Sequence, residues 1–283
     1  MKAQIRIFLV ITFALTIVLS FPMIRAGDMY LAGGAYVMGI MWSPGIAALI
    51  TCLVFQRNLR GLGWKPGKLS YLAASYLIPL GAALIVYSTV WTTGLGRFRV
   101  DEYFGSNTAG TFGVENPSPG LSLAILLTGG LLLRMIFALG EEIGWRGFLL
   151  PRLAEVVSLK RAAILSGVIW AVYHLPGLLF LQYYRGSRLQ SVICFSIMAI
   201  AASVIMAWLR MRSGSLWTAA VFHSSHNLAI QGIFNGLTEN TGPTDFFVDE
   251  FGIGMALVYS LAAIWFWRRF QSIDEPTTVG ARP

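Results

Sequence analysis

The sequence predicts an all-α polytopic integral membrane protein of about eight transmembrane helices, with both termini cytoplasmic. Three observations carry that expectation. Charged residues make up 12% of the 283-residue chain, about half of the roughly 25% usual in soluble domains. Apolar residues reach 56%, and the mean hydropathy is +0.67. Eight uncharged stretches of 17 to 28 residues follow one another, and about 20 apolar residues cross a bilayer core as a helix. So little charge excludes a water-soluble enzyme, a nucleic-acid-binding domain and a disordered chain. The lipid bilayer is the expected surrounding, and no nucleic-acid partner is expected.

The first stretch, 7–24, follows Lys2 and Arg6 as a signal peptide would. Its 18 residues exceed a usual signal core, however, and Arg25-Ala26-Gly27 is no small-x-small cleavage site, so a retained helix is expected. The second, 29–56, contains Pro44-Gly45, which leaves its continuity open. The third covers 69–96, and the Gly-, Asn-, Thr- and Pro-rich 97–118 reads as an irregular external loop. The fourth, 116–133, stays apolar through Arg134, Glu141, Glu142 and Arg146, and so reads as one long helix near 121–150. The remaining four are 162–184, 189–209, 213–238 and 251–267. No ten-residue segment alternates with the period of two that a membrane barrel needs.

Cys52 and Cys194 fall inside apolar stretches and read as small buried hydrophobes, with no CxxC pair. One transmembrane domain, 1–272, is expected, followed by a polar cytoplasmic tail, 273–283, without a Cys-a-a-X end. Orientation follows from loop Lys and Arg. With the N-terminus inside, the cytoplasmic segments hold 14 of them, from Lys2 through Arg57, Arg152 and Arg212 to Arg282, and the outer loops hold five, Arg25, Arg97, Arg99, Arg185 and Arg188. The loop with Glu239, Asp245, Asp249 and Glu250 is then acidic and outside.

Seven ionisable residues lie within these spans: Arg134, Glu141, Glu142, Arg146, His174, His223 and His226. Two Glu and two Arg left unpaired in a bilayer would cost on the order of 10 kcal/mol. They must therefore face one another or a wet cavity. Counted along the helices, Glu141, His174 and His223 lie roughly 16, 20 and 16 Å from the nearest inner-loop charge. Three helices thus bring polar groups to one depth, toward the cytoplasmic side.

Within the fourth helix, Glu142 and Arg146 stand at i and i+4 and are expected to pair as a structural unit. Glu141 points about 100° away and is left to face something else. Gly140, Gly144 and Gly147 form a face suited to close helix packing. His223 and Asn227 also share a face at i and i+4. His226 could simply bond a neighbouring carbonyl, and Arg134 is expected to be structural.

A carboxylate and an imidazole beside a water, with a second imidazole and an amide beside a carbonyl, make peptide hydrolysis feasible without a covalent intermediate. Glu141 would act as general base with His174, and His223 and Asn227 would donate to the oxyanion. No cofactor is needed for that. The alternative is Zn²⁺, with His174, His223 and Glu141 as candidate ligands. The sequence contains no HExxH, no GxSxG elbow and no GxGD.

Three runs carry a resemblance. Gly140-Glu141-Glu142-Ile143-Gly144-Trp145-Arg146 resembles the EExxxR motif of the CPBP intramembrane proteases, which include the Ras-converting-enzyme type of CAAX prenyl endopeptidase and bacterial relatives. Trp170-Ala171-Val172-Tyr173-His174 is similar to the family's Phe-x-x-x-His, with Trp for Phe, a change expected to alter only pocket shape. His223-Ser224-Ser225-His226-Asn227 is similar to its His-x-x-x-Asn/Asp. The family-like core runs from about 120 to 235. The resemblance implies an intramembrane endopeptidase in which Glu141 and His174 activate water, His223 and Asn227 form the oxyanion hole, and Glu142 and Arg146 support them. It implies a membrane-anchored substrate, either a prenylated CAAX-type protein or a bacteriocin-like peptide. The compact chain, with no evident organelle signal, points to a prokaryotic plasma membrane. Both glutamate and metal mechanisms have been ascribed to the family. A non-catalytic bacteriocin-immunity or scaffold protein is the competing expectation, with a proton-coupled transporter behind it.

Overall fold

The structure, a computed structural model, describes residues 1–100, 111–115 and 117–270. The expected tail, 273–283, and part of the loop at 97–118 lie outside the described residues. The described residues are all-α apart from one two-residue bridge. Its helices are α1 (Lys2–Ala26), α2 (Ala35–Gln56), α3 (Leu69–Thr92), α4 (Pro119–Ala154), α5 (Leu159–Phe180) and α6 (Arg188–Ser213). Next come α7 (Leu216–Asn227), continued by a π-helical segment Leu228–Phe234, and α8 (Ile253–Arg268).

Among the described residues, α1 to α6 are long and apolar enough to cross a membrane, whereas α8 is a shorter apolar helix. Their outer faces suit lipid: Val18, Leu132 and Leu261 are about two-thirds exposed although strongly apolar. Several hydroxyls within the spans are satisfied by their own helix, as where Thr12 and Thr16 donate to Phe8 O and Thr12 O at 2.8 Å. A span without water needs that internal pairing.

Helix starts and stops follow local chemistry. Ser118 caps α4 by accepting from Leu121 N–H, with Pro119 at the first helical position. Gly27 and Gly214 close α1 and α6 in the left-handed conformation that costs glycine least. The bridge pairs Arg97 with Glu239 and Phe98 with Thr238, fastening the α3–α4 loop to the segment after α7.

Helix α2 runs unbroken through Pro44-Gly45. Those residues mark its crossing with α4. A Cβ on Gly45 would lie 2.5 Å from Gly140 O, and one on Gly144 would lie 2.4 Å from Pro44 Cβ. Small residues here allow two backbones to touch. Gly147 belongs to that face less strictly, since its Cβ would meet neighbours at ordinary distances of 3.4 Å and more. Helix α1 is built into the same core, with Phe8 buried against the rings of Trp145 and Phe148.

Candidate active site

Helix α4 reaches the Glu pair as a regular α-helix, Leu131–Glu142, and then widens into a π-helical segment, Ile143–Leu149. Such single turns concentrate at functional sites. Each carboxylate meets its own partner four residues on. Glu141 Oε2 accepts from the Trp145 indole at 3.2 Å, and Arg146 donates to Glu142 Oε1 and Oε2 at 2.9 and 3.2 Å. All four side chains are buried.

Helix α5 completes the Glu141 site. Trp170 Nε1 donates to Glu141 Oε2 at 2.7 Å, and its ring lies under the Arg146 guanidinium, 4.4 Å from centroid to Cζ. Trp for Phe therefore alters more than pocket shape. The indole N–H is a donor that Phe lacks, and it fixes the carboxylate. Oε1 of Glu141 accepts no hydrogen bond among the described residues and is left to the cavity that Glu141 lines.

His174, one turn beyond Trp170, places Nδ1 2.9 Å from Trp170 O. A carbonyl only accepts, so Nδ1 carries a proton, and the neutral form of the ring with that tautomer has a bare Nε2. The helix continues past Pro176 to Phe180. From α7, His223 Nδ1 lies 2.9 Å from Glu142 Oε1. Glu142 thus holds two cationic or donor partners, Arg146 and His223, and does more than the intrahelical pairing expected of it. Asn227, one turn on and partly exposed, makes no hydrogen bond among the described residues. Just after Asn227, α7 widens into its own π-helical segment.

Glu141, His174, His223 and Asn227 line one cavity of about 580 Å³. The structure thus brings together the four residues that the sequence singled out. Glu142 and Arg146 lie behind them, outside the lining. Arg134 lines the cavity too, lying against Gly232, where a Cβ would come 2.7 Å from its guanidinium. His226 also faces the cavity. It is held by Tyr259 Oη at 2.9 Å and by Glu250 Oε2 at 3.5 Å, not by a backbone carbonyl.

The residues that sequence reasoning missed come from loops. Asp249 and Glu250, read as part of an acidic loop on the outer side, are buried in the cavity lining. Tyr183 donates to Glu250 Oε1, Arg185 Nε pairs with Asp249 Oδ2 at 3.1 Å, and Asn235 donates to Asp249 at 2.6 Å. Burial, reinforced by the Glu250 charge, pushes Asp249 up from 3.8 to about 6 against the pull of Arg185 and Asn235. Burial also raises Glu250, but hydrogen bonding and charge from His226 outweigh it and hold that carboxyl below its ordinary value. The flanking Phe246, Phe247 and Phe251 were the one sequence sign that this acidic stretch folds inward.

Among the described residues, no three of His, Cys, Asp and Glu converge as a metal site. In the candidate Zn²⁺ set, His223 Nδ1 and His174 Nδ1 are held by Glu142 and Trp170 O, and Glu141 Oε2 by two indoles, which leaves the two Nε2 atoms and Glu141 Oε1 as the donors open to a metal.

Tyr30, Thr111, Tyr183 and Arg185, from loops at the bundle end opposite Arg57, Arg152 and Arg212, also line the cavity.

Residues 122–229 match the family model described as type II CAAX prenyl endopeptidase Rce1-like. That range holds all three motifs. A curated relative, CAAX prenyl protease 2 of Methanococcus maripaludis, is 28% identical over 116 residues, covering 39% of this chain and 43% of that protein. The chain is thus matched over less than half of that relative's length. Both comparisons bear out the resemblance to the CPBP/CAAX protease family.

Proposed function

We propose that the chain is an intramembrane endopeptidase that hydrolyses a peptide bond in a membrane-associated substrate, of the prenylated CAAX type or a bacteriocin-like peptide. The observation that carries this reading is the meeting of Glu141, His174, His223 and Asn227, from three helices, in the lining of one cavity. A structural network alone would not leave Glu141 Oε1, His174 Nε2 and the Asn227 amide without hydrogen-bond partners among the described residues beside a cavity of about 580 Å³.

In this reading Glu141 Oε1 takes a proton from water as the oxygen attacks the scissile carbonyl, and the bare Nε2 of His174 holds that water in line. The carbonyl oxygen becomes an oxyanion, which His223 and the Asn227 amide meet with hydrogen bonds. His223 donates its Nδ1 N–H to Glu142 in a hydrogen bond, so donation from Nε2 as well requires the imidazolium, and the Glu142 carboxylate supplies its counter-charge. The proton then passes from Glu141 to the leaving amine, and the peptide C–N bond breaks. No cofactor enters this sequence. The cell membrane of a prokaryote is the setting we assign.

The test is Glu141→Gln in the folded, purified protein, assayed on prenylated and bacteriocin-like membrane-anchored peptides. Loss of at least about a hundredfold is expected for a general base, and undiminished cleavage would sink the assignment. Chelation followed by metal analysis checks the metal-free mechanism. Activity that disappears with the metal and returns on its addition would replace it.

A further inference from the structure

We infer that Glu250 is a positioning residue for His174, acting through the ring of Tyr183. What His174 does for a substrate rests on the proteolytic reading, but how its ring is held does not. One hydrogen bond, from Nδ1 to Trp170 O at 2.9 Å, ties the imidazole to its own helix. A single bond leaves a ring free to swing about it, and Nε2 would swing furthest.

Two neighbouring rings close that freedom. Phe195, from α6, lies against the imidazole with centroids 4.8 Å apart and planes at 51°. Tyr183 stacks on it at 6.5 Å and 27°. Both fall within the roughly 4.5–7 Å over which aromatic rings attract. Phe195 is buried in the middle of a helix and is held there by it. Tyr183 has no helix of its own. It follows the end of α5 at Phe180, after Gln182 in the left-handed conformation that non-glycine residues rarely adopt. Its N–H returns to α5 at Gly177 O over a long 3.3 Å.

The turn before α8 supplies the missing support. Tyr183 donates its hydroxyl to Glu250 Oε1, and Phe251 meets the Tyr183 ring edge-on at 5.0 Å. Phe251 also stacks against Phe195 at 6.0 Å. Glu250 is itself buried and fixed from α7, by His226 at 3.5 Å and by Gln231 at 3.4 Å. Burying a carboxylate beside a cavity is costly unless it is paired, and one of its partners here is the ring stacked on His174. Glu250 and Phe251 lie beyond the range 122–229 that matches the family model, and none of the three motifs contains them.

Tyr183→Phe keeps the ring and removes the hydroxyl. In the full chain in detergent, assayed on a lipid-anchored reporter peptide, its kcat is expected to fall about tenfold, short of the roughly hundredfold that a 1 Å misplacement costs. KM and the melting midpoint should stay near wild type. Glu250→Ala should lower kcat likewise, and Glu250→Gln, whose amide oxygen still accepts from Tyr183, should recover most of that loss. A raised KM at unchanged kcat would make Tyr183 a substrate contact, and a lowered midpoint at unchanged kcat would make it structural. Either result overturns the proposal. A second readout needs no substrate. Spectra of ¹⁵N-histidine protein report which nitrogen of a neutral ring carries the proton. The His174 signal, assigned by its loss in His174→Gln, is expected as the single Nδ1–H form in wild type and Glu250→Gln, and as a mixture of tautomers in Tyr183→Phe and Glu250→Ala. One form in all four proteins, or a mixture already in wild type, overturns the positioning role. If wild type cleaves nothing, the proteolytic reading fails and the spectra alone decide how His174 is held.

Discussion

Trp170 donates its indole N–H to Glu141 Oε2 at 2.7 Å while presenting its ring face to Arg146. One side chain from α5 thereby positions the carboxylate proposed as base and covers the buried cation that supports the neighbouring carboxylate. The edge of the indole does the first and the π face does the second. A phenyl ring retains only the face.

Trp170→Phe is therefore expected to lower kcat/KM by roughly ten- to a hundredfold, since a hydrogen bond to a charged group contributes about 1.5–3 kcal/mol. Because Phe keeps the ring over Arg146, the thermal midpoint should shift little. Trp145→Phe, which removes the longer 3.2 Å bond, should cost less activity. Steady-state kinetics beside a melting curve checks both, and wild-type activity for Trp170→Phe would show that the indole donor is idle.

Glu142 links Arg146 to His223, and all three are buried. Removing one member of a buried charged network leaves the rest uncompensated, at about 3–5 kcal/mol. Glu142→Ala should lower both the melting midpoint and activity, whereas Glu141→Gln should remove activity and leave the midpoint near wild type. A Glu142→Ala protein as stable as wild type would mean that the pairing carries no weight.

The α2–α4 crossing predicts a purely steric effect. Gly144→Ala would set a Cβ 2.4 Å from Pro44 Cβ, and Gly45→Ala would set one 2.5 Å from Gly140 O. Neither neighbour is a flexible side-chain end, so the helices must separate. Each change should destabilise by at least about 1–3 kcal/mol, the usual range for overpacking. Gly147→Ala, with its contacts at 3.4 Å and beyond, should be tolerated. Equal melting midpoints for all three would contradict this packing.

Much of this was legible in the sequence, and the reason is physical. A bilayer forces helices of fixed length, so the uncharged stretch 189–209 foretells α6, Arg188–Ser213. It also makes Glu141 and His174 conspicuous. Regular helix geometry then separates Glu141 from Glu142. Two kinds of feature escaped. Pro44-Gly45 reads as a break from propensity alone, but its role is set by the partner helix that touches it. Asp249 and Glu250 read as loop charges because their burial depends on Tyr183, Arg185 and His226, between 23 and 67 residues away, and no local pattern encodes such a pairing.

Asp249 gives the last prediction, one of pH. Its carboxyl is raised from 3.8 to about 6, so between those values the folded protein binds a proton that the unfolded chain has released. Stability from this group is full below about 3.8, declines as pH rises through the window and is gone above about 6. Asn at this position does not titrate, and Glu250 is present in both proteins. The melting midpoint of wild type minus that of Asp249→Asn should therefore fall as pH is raised from 4 to 7 in detergent. The Arg185 ion pair is present only when Asp249 is charged, so the loop bearing Tyr183 and Arg185 should be held most firmly above about 6, where that carboxylate pays its desolvation cost. Protease resistance at Arg185 followed across the same range should rise as the midpoint difference falls. A midpoint difference that stays flat from pH 4 to 7 would show that Asp249 titrates outside this window.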